Sequence, residues 1–125
     1  VILTFWLVLG VQAASARSVA FLIVTDNSDS MVAQQKKTTD RLIQLKEEAG
    51  MPKNKLDVMA ANFKDAKDAA YCEQHLDIHA ANLLFVGVVA LGPDGKPDRV
   101  LFRIDNAQDP VADAQRAFRE AMKPH

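Results

Sequence analysis

Asp26, Ser28 and Ser30 alternate along a polar run, Asp26-Asn27-Ser28-Asp29-Ser30, that directly follows an apolar segment. A carboxylate and two hydroxyls at alternating positions are hard oxygen donors, suited to converge on a small divalent cation such as Mg2+ or Mn2+. The same residue types are the preferred N-caps of helices, where a side-chain oxygen accepts from an orphan backbone N–H. Two readings therefore stand on these residues: a helix cap, or a cap that also holds a cation.

A second set is Cys72, His75 and His79, at spacings of three and four. On one helix this places all three on one face, and Cys and His are good zinc ligands. Against that, Cys72 and Leu76 mark the apolar face of the same segment, where a lone Cys behaves as a small buried hydrophobe. A nucleophilic Ser28 or Ser30 needs a base such as His75 or His79 and an orienting acid. No Gly-x-Ser-x-Gly elbow presents either serine, and no Gly-rich phosphate loop occurs. The expectation is no catalytic residue and no cofactor site, with a cation at Asp26, Ser28 and Ser30 as the alternative.

The elements that position these residues follow from the hydrophobic pattern. Ser18–Thr25 (SVAFLIVT) is a continuous apolar, β-branched run and predicts a strand buried on both faces. From about Ser30 to Ala49, Met31, Thr38, Leu42, Leu45 and Ala49 form a helical stripe. Gln34–Lys37 and Lys46–Glu48 form its expected wet side. Gly50 ends the helix and Pro52 prevents resumption. Leu56–Ala61 predicts a short strand, and Asp65 to about His79 a helix with Ala66, Ala69, Cys72 and Leu76 inward. Leu83–Leu91 and Arg99–Ile104 predict a hairpin around Gly92-Pro93-Asp94-Gly95-Lys96, where Pro sets φ and Asp-Gly accepts a positive φ. Asp109 caps a last helix with Pro110 at its first position, burying Val111, Ala114, Phe118 and Ala121 or Met122.

The predicted fold class is α/β, in the order β-α-β-α-β-β-α, with two crossovers making the first three strands parallel and a C-terminal antiparallel hairpin. That order, most specifically Cys72–Ile104 with LLFVGVVALGPDGKPDRVLFRI, resembles the thioredoxin-like fold over essentially all of Arg17–His125. The resemblance implies a three-layer sandwich with a mixed sheet. Thioredoxins carry two cysteines in the loop after the first strand, where this chain has Asp26–Met31 (DNSDSM). They carry a cis-proline before the third strand, where this chain has Ala80-Ala81-Asn82. Dithiol exchange needs an attacking thiolate and a resolving sulfur, so the resemblance implies a non-catalytic relative that binds or scaffolds. The Asp26-x-Ser28-x-Ser30 pattern separately resembles the metal motif of von Willebrand factor A domains, which implies a cation that takes an acidic group from a partner. The remaining ligands of that motif have no clear counterpart here.

The first sixteen residues differ from the rest. Val1–Val11 (VILTFWLVLGV) carry no charge, and Ala14-Ser15-Ala16 is a small-x-small peptidase pattern, as in the apolar and cleavage regions of a secretory signal. With no basic segment or Met before it, the sequence is expected to start inside the signal. The apolar run is short of the roughly twenty residues a membrane span needs. The expected organisation is residues 1–16 as leader and 17–125 as one domain, periplasmic or secreted, with no membrane span once the leader is removed. One cysteine permits no internal disulfide and no Cys-x-x-Cys pair. A net charge of −1 gives no basic field for nucleic acid. The expected partner is another protein or an envelope component.

Overall fold

The computed structural model describes residues 2–4 and 18–124. The strands are β1 (Ile2–Thr4), β2 (Val19–Thr25), β3 (Val58–Asn62), β4 (Phe85–Leu91) and β5 (Pro97–Ile104). The helices are α1 (Asp29–Glu48), α2 (Ala66–His75) and α3 (Pro110–Ala121), with a 3-10 turn at Ala80–Asn82. The strands form a five-stranded mixed sheet in the order β1-β3-β2-β4-β5, with β1 parallel to β3 at its edge. Of the expected leader only Ile2–Thr4 is described. The remainder lies outside the described residues.

β2 explains the layering. Its alternate residues enter two separate cores, as strand geometry requires when both faces are covered. Ala20, Leu22 and Val24 pack with Cys72, Leu76 and Ile78 beneath α2. Phe21 and Ile23 pack with Leu42 of α1 and with Ala114, Ala117 and Ala121 of α3. One helix therefore covers one face of the sheet and two cover the other.

The direction of β4 differs from expectation. β2 and β3 are parallel, but β4 is antiparallel to β2, with Phe85 opposite Val24 and Ala90 opposite Val19. The third strand is thus not parallel to the first two. α2 runs back along the sheet, its Tyr71 hydroxyl donating to the Pro97 carbonyl and His75 facing Asp98 at the opposite end. Leu76–Leu84 then returns the chain, so β4 starts at the end where β2 and β3 finish. β5 then returns antiparallel through the expected turn, with Gly95 at φ 80° and the Gly92 N–H donating to the Lys96 carbonyl at 2.9 Å.

Helix bounds follow local chemistry. Asp109 caps α3, its Oδ1 accepting from the Ala112 N–H at 3.2 Å, with Pro110 beginning the helix as expected. α2 stops at His75, well before His79, because the chain turns inward. Asp77 takes φ 54°, a region Asp tolerates, and Ile78 is fully buried. Cys72 of α2 and Leu76 just after it point inward as expected, while Ala66 is exposed and Asp68 is buried instead. In α3, Ala114, Ala117 and Ala121 are buried, while Val111 and Met122 of the expected face are exposed. The Leu83–Leu84 peptide is cis.

Candidate functional site

Because β4 enters from the carboxyl end of β2, several loops gather there. The Asp26–Ser28 loop leaves β2 beside the Asn62–Asp65 loop, and Phe63 N–H donates to the Thr25 carbonyl at 2.7 Å. The 3-10 segment arrives before β4, and the chain after β5 closes over it. Asn106 N–H donates to the Asn82 carbonyl at 3.0 Å and Ala107 N–H to the Leu84 carbonyl at 2.8 Å. Open α/β sheets place their sites at this end. The loop tips are polar and exposed, with Asn27, Ser28, Lys64, Asp105 and Asn106 facing water.

Within the Asp26–Met31 loop the side chains turn on one another. Asn27 takes φ 65°, and its N–H donates to Thr25 Oγ1 at 3.1 Å. Asp26 Oδ1 accepts the Ser28 N–H at 2.9 Å. The Ser28 side chain, then its backbone N–H, hold the Asp26 carboxyl below its ordinary range, with Lys64 contributing in the same direction. Ser28 occupies the N-cap of α1, yet its hydroxyl makes no cap bond to the helix. The Val32 N–H closes the first turn on the Ser28 carbonyl at 2.9 Å. Ser30 stands exposed in that first turn. The cap expected from sequence is therefore a backbone cap, with the aspartate spent on orienting the loop.

Cys72, His75 and His79 go separate ways. Cys72 is fully buried against the sheet, and burial pushes its thiol up to about 12. His75, the last residue of α2, stacks on Tyr71 with ring centroids 4.7 Å apart and faces Asp98 at 3.6 Å. His79 lies beyond the helix and pairs through Nε2 with Asp77 Oδ1 at 2.8 Å. Among the described residues no group of three or more His, Cys, Asp or Glu is arranged to hold a metal ion.

Two features escaped the sequence reading. The first is the joining of the Asn82 and Asn106 loops to the Asp26 end. Its signal was the placement of Asn and Asp at loop positions, since Asn27, Asp77 and Asn106 all take positive φ. The second is Lys46, expected on the wet side of α1 and found only 9% exposed. Lys46 follows Leu42 by four residues, so it continues the buried row Thr38–Leu42 where Ala49 was expected and is exposed.

Fold and loops together define a small α/β domain with a polar loop cluster at one end of a mixed sheet. Compared with family models, curated proteins and solved structures, the chain matches none. No helix among the described residues is long and apolar enough to cross a membrane.

Proposed function

We propose that the chain is an exported, non-catalytic thioredoxin-like domain that binds another protein or an envelope component through the loop cluster at the carboxyl end of β2. The element order, the mixed sheet with its C-terminal hairpin, and helices on both faces support the thioredoxin-like reading. The observation that carries the functional reading is the chemistry at the place where such oxidoreductases hold their cysteines. Asp26–Met31 presents carboxylate, amide and hydroxyl groups there, and the chain's one thiol sits in the core beneath α2. Hydrogen-bonding side chains fixed by backbone turns suit recognition of a polar surface. The apolar leader and its Ala14-Ser15-Ala16 pattern support export.

The test has two arms. In a thiol–disulfide exchange assay the chain and Cys72→Ala should both leave the uncatalysed rate unchanged, and acceleration that depends on Cys72 overturns the non-catalytic reading. A photo-crosslinking residue at Asn27 or Ser30 should capture a discrete partner from the envelope, and the same residue at Lys123 should not. Equal capture from both places removes the loop cluster as the binding surface.

A further inference from the structure

A cavity of about 250 Å3 opens at the other end of the molecule, between the last turn of α1, the loop after it and the start of β3. Its apolar wall is Ile43, Met51 and Val58, and its polar groups include Lys46, Lys53 and Asp57. The wall is held by backbone geometry. Gly50 at φ +68° closes α1, its N–H donating to the Glu47 carbonyl while Met51 N–H donates to the Lys46 carbonyl, each at 3.0 Å. This six-to-one closure fixes Lys46 and Met51 on adjoining sides of the space.

Lys46 is the unusual group. An ammonium has three donors and is rarely buried unless paired. Its Nζ makes one long hydrogen bond, to the Lys53 carbonyl at 3.3 Å. None of the ion pairs among the described residues includes it. Burial draws its pKa below the ordinary lysine value, with the charge of Asp57 opposing. Among the described residues one hydrogen-bond acceptor thus serves an ammonium that has three donors, beside an apolar space.

We propose that this cavity binds a small monocarboxylate with a short apolar tail, the carboxylate accepting from Lys46 Nζ and the tail lying against Ile43, Met51 and Val58. A carboxylate supplies further acceptors for Lys46 and makes the stronger, charge-assisted kind of hydrogen bond. Asp57 and Glu47, which also line the cavity, disfavour a multiply charged anion such as phosphate. The space is below the usual range for drug-sized ligands, which fixes the tail as short. The site is separate from the Asp26 loop cluster and does not depend on the reading given to that cluster.

The probe is sodium hexanoate, titrated into the full chain and followed by amide and methyl NMR, with hexan-1-ol and hexylammonium as matched controls. Saturable shifts at Ile43, Met51 and Val58 with hexanoate are expected, with Lys46→Met weakening binding about tenfold or more. Lys46→Met keeps the unbranched apolar stem and removes the ammonium, and its amide spectrum reports whether the fold is intact. Lys46→Gln serves as the second variant should the first be unfolded. Three results overturn the proposal: no saturable shift at these residues, equal hexanoate affinity in the folded Lys46 variant, or hexan-1-ol binding as tightly as hexanoate.

Discussion

Alkylation of Cys72 with iodoacetamide tests the non-redox reading directly, because the two routes to a modified thiol have sizes that can be worked out. In the native protein the thiol is pushed up from 9.0 to about 12. At pH 8 an ordinary thiol is then about one-tenth thiolate and the native one roughly one ten-thousandth, a loss of about a thousandfold in the reactive species. Full burial adds steric exclusion to that. The competing route runs through the unfolded chain, where the thiol is ordinary but rare. A stability of about 5 kcal/mol leaves roughly two molecules in ten thousand unfolded. The observed rate is the sum of the two routes, so native labelling should be at least about a thousandfold slower than labelling in denaturant. Mass spectrometry across a urea series reads this, and protection should disappear along the same curve as the circular dichroism signal. Labelling without denaturant within about tenfold of the unfolded rate would refute the reasoning, since it requires a native thiolate that reaches solvent.

Alkaline pH should destabilise the fold, because Cys72 and Tyr71 both have pKa values raised to about 12. A raised pKa means the unfolded state loses its proton first, so stability is full below about pH 9 and falls as pH climbs towards 12. Cys72→Ala should flatten the lower part of that fall in urea titrations, and an unchanged profile would count against burial as its cause. Gly87→Ala should cost about 1–3 kcal/mol, since a Cβ there would stand 2.6 Å from Phe85 Cζ and 2.7 Å from the Phe102 carbonyl oxygen. The gain of about 0.5–1 kcal/mol that Ala normally brings to a strand is too small to offset this, and a neutral melting temperature would show the strands separate easily. Asp109→Ala should lose about 1 kcal/mol by thermal unfolding through the missing cap on Ala112. Millimolar Mg2+ or Mn2+ should leave the melting temperature unchanged. A cation at a hundred times its dissociation constant would add about 2.7 kcal/mol, and such a rise abolished by Asp26→Ala would favour the adhesion-type site at Asp26, Ser28 and Ser30.

The elements were legible wherever one local signal dominated. The unbroken apolar run of β2, the Gly92–Lys96 turn and the Asp109-Pro110 start of α3 each carry their own chemistry and fall where expected. Strand direction was not legible. The β4 run Phe85–Val89 is buried on both faces, and such a run reads the same whether the strand points up or down the sheet. What set it was the return of Asn62–Leu84 to its starting end, which depends on the left-handed turn at Asp77 and the burial of Ile78. Neither is visible as a period.

The same limit explains which parts of the candidate sites were read and which were not. Asp26, Ser28 and Ser30 were visible because their types cluster in sequence, yet only the fold brings Asn82 and Asn106 towards them, through the reversal of β4. Lys46 was hidden for the opposite reason. Its type argues for water, and only its place four residues after Leu42 argues for the core. A helix stripe assigned by residue type will always send such a lysine outward. A lysine that nevertheless sits inward beside a cavity is the residue at which hydrophobic patterning and chemistry disagree, and functional sites are where that disagreement is expected. The hexanoate titration and the Cys72 labelling therefore examine two independent consequences of one physical fact. The sheet and its helices decide which polar groups lose water, and sequence type alone does not.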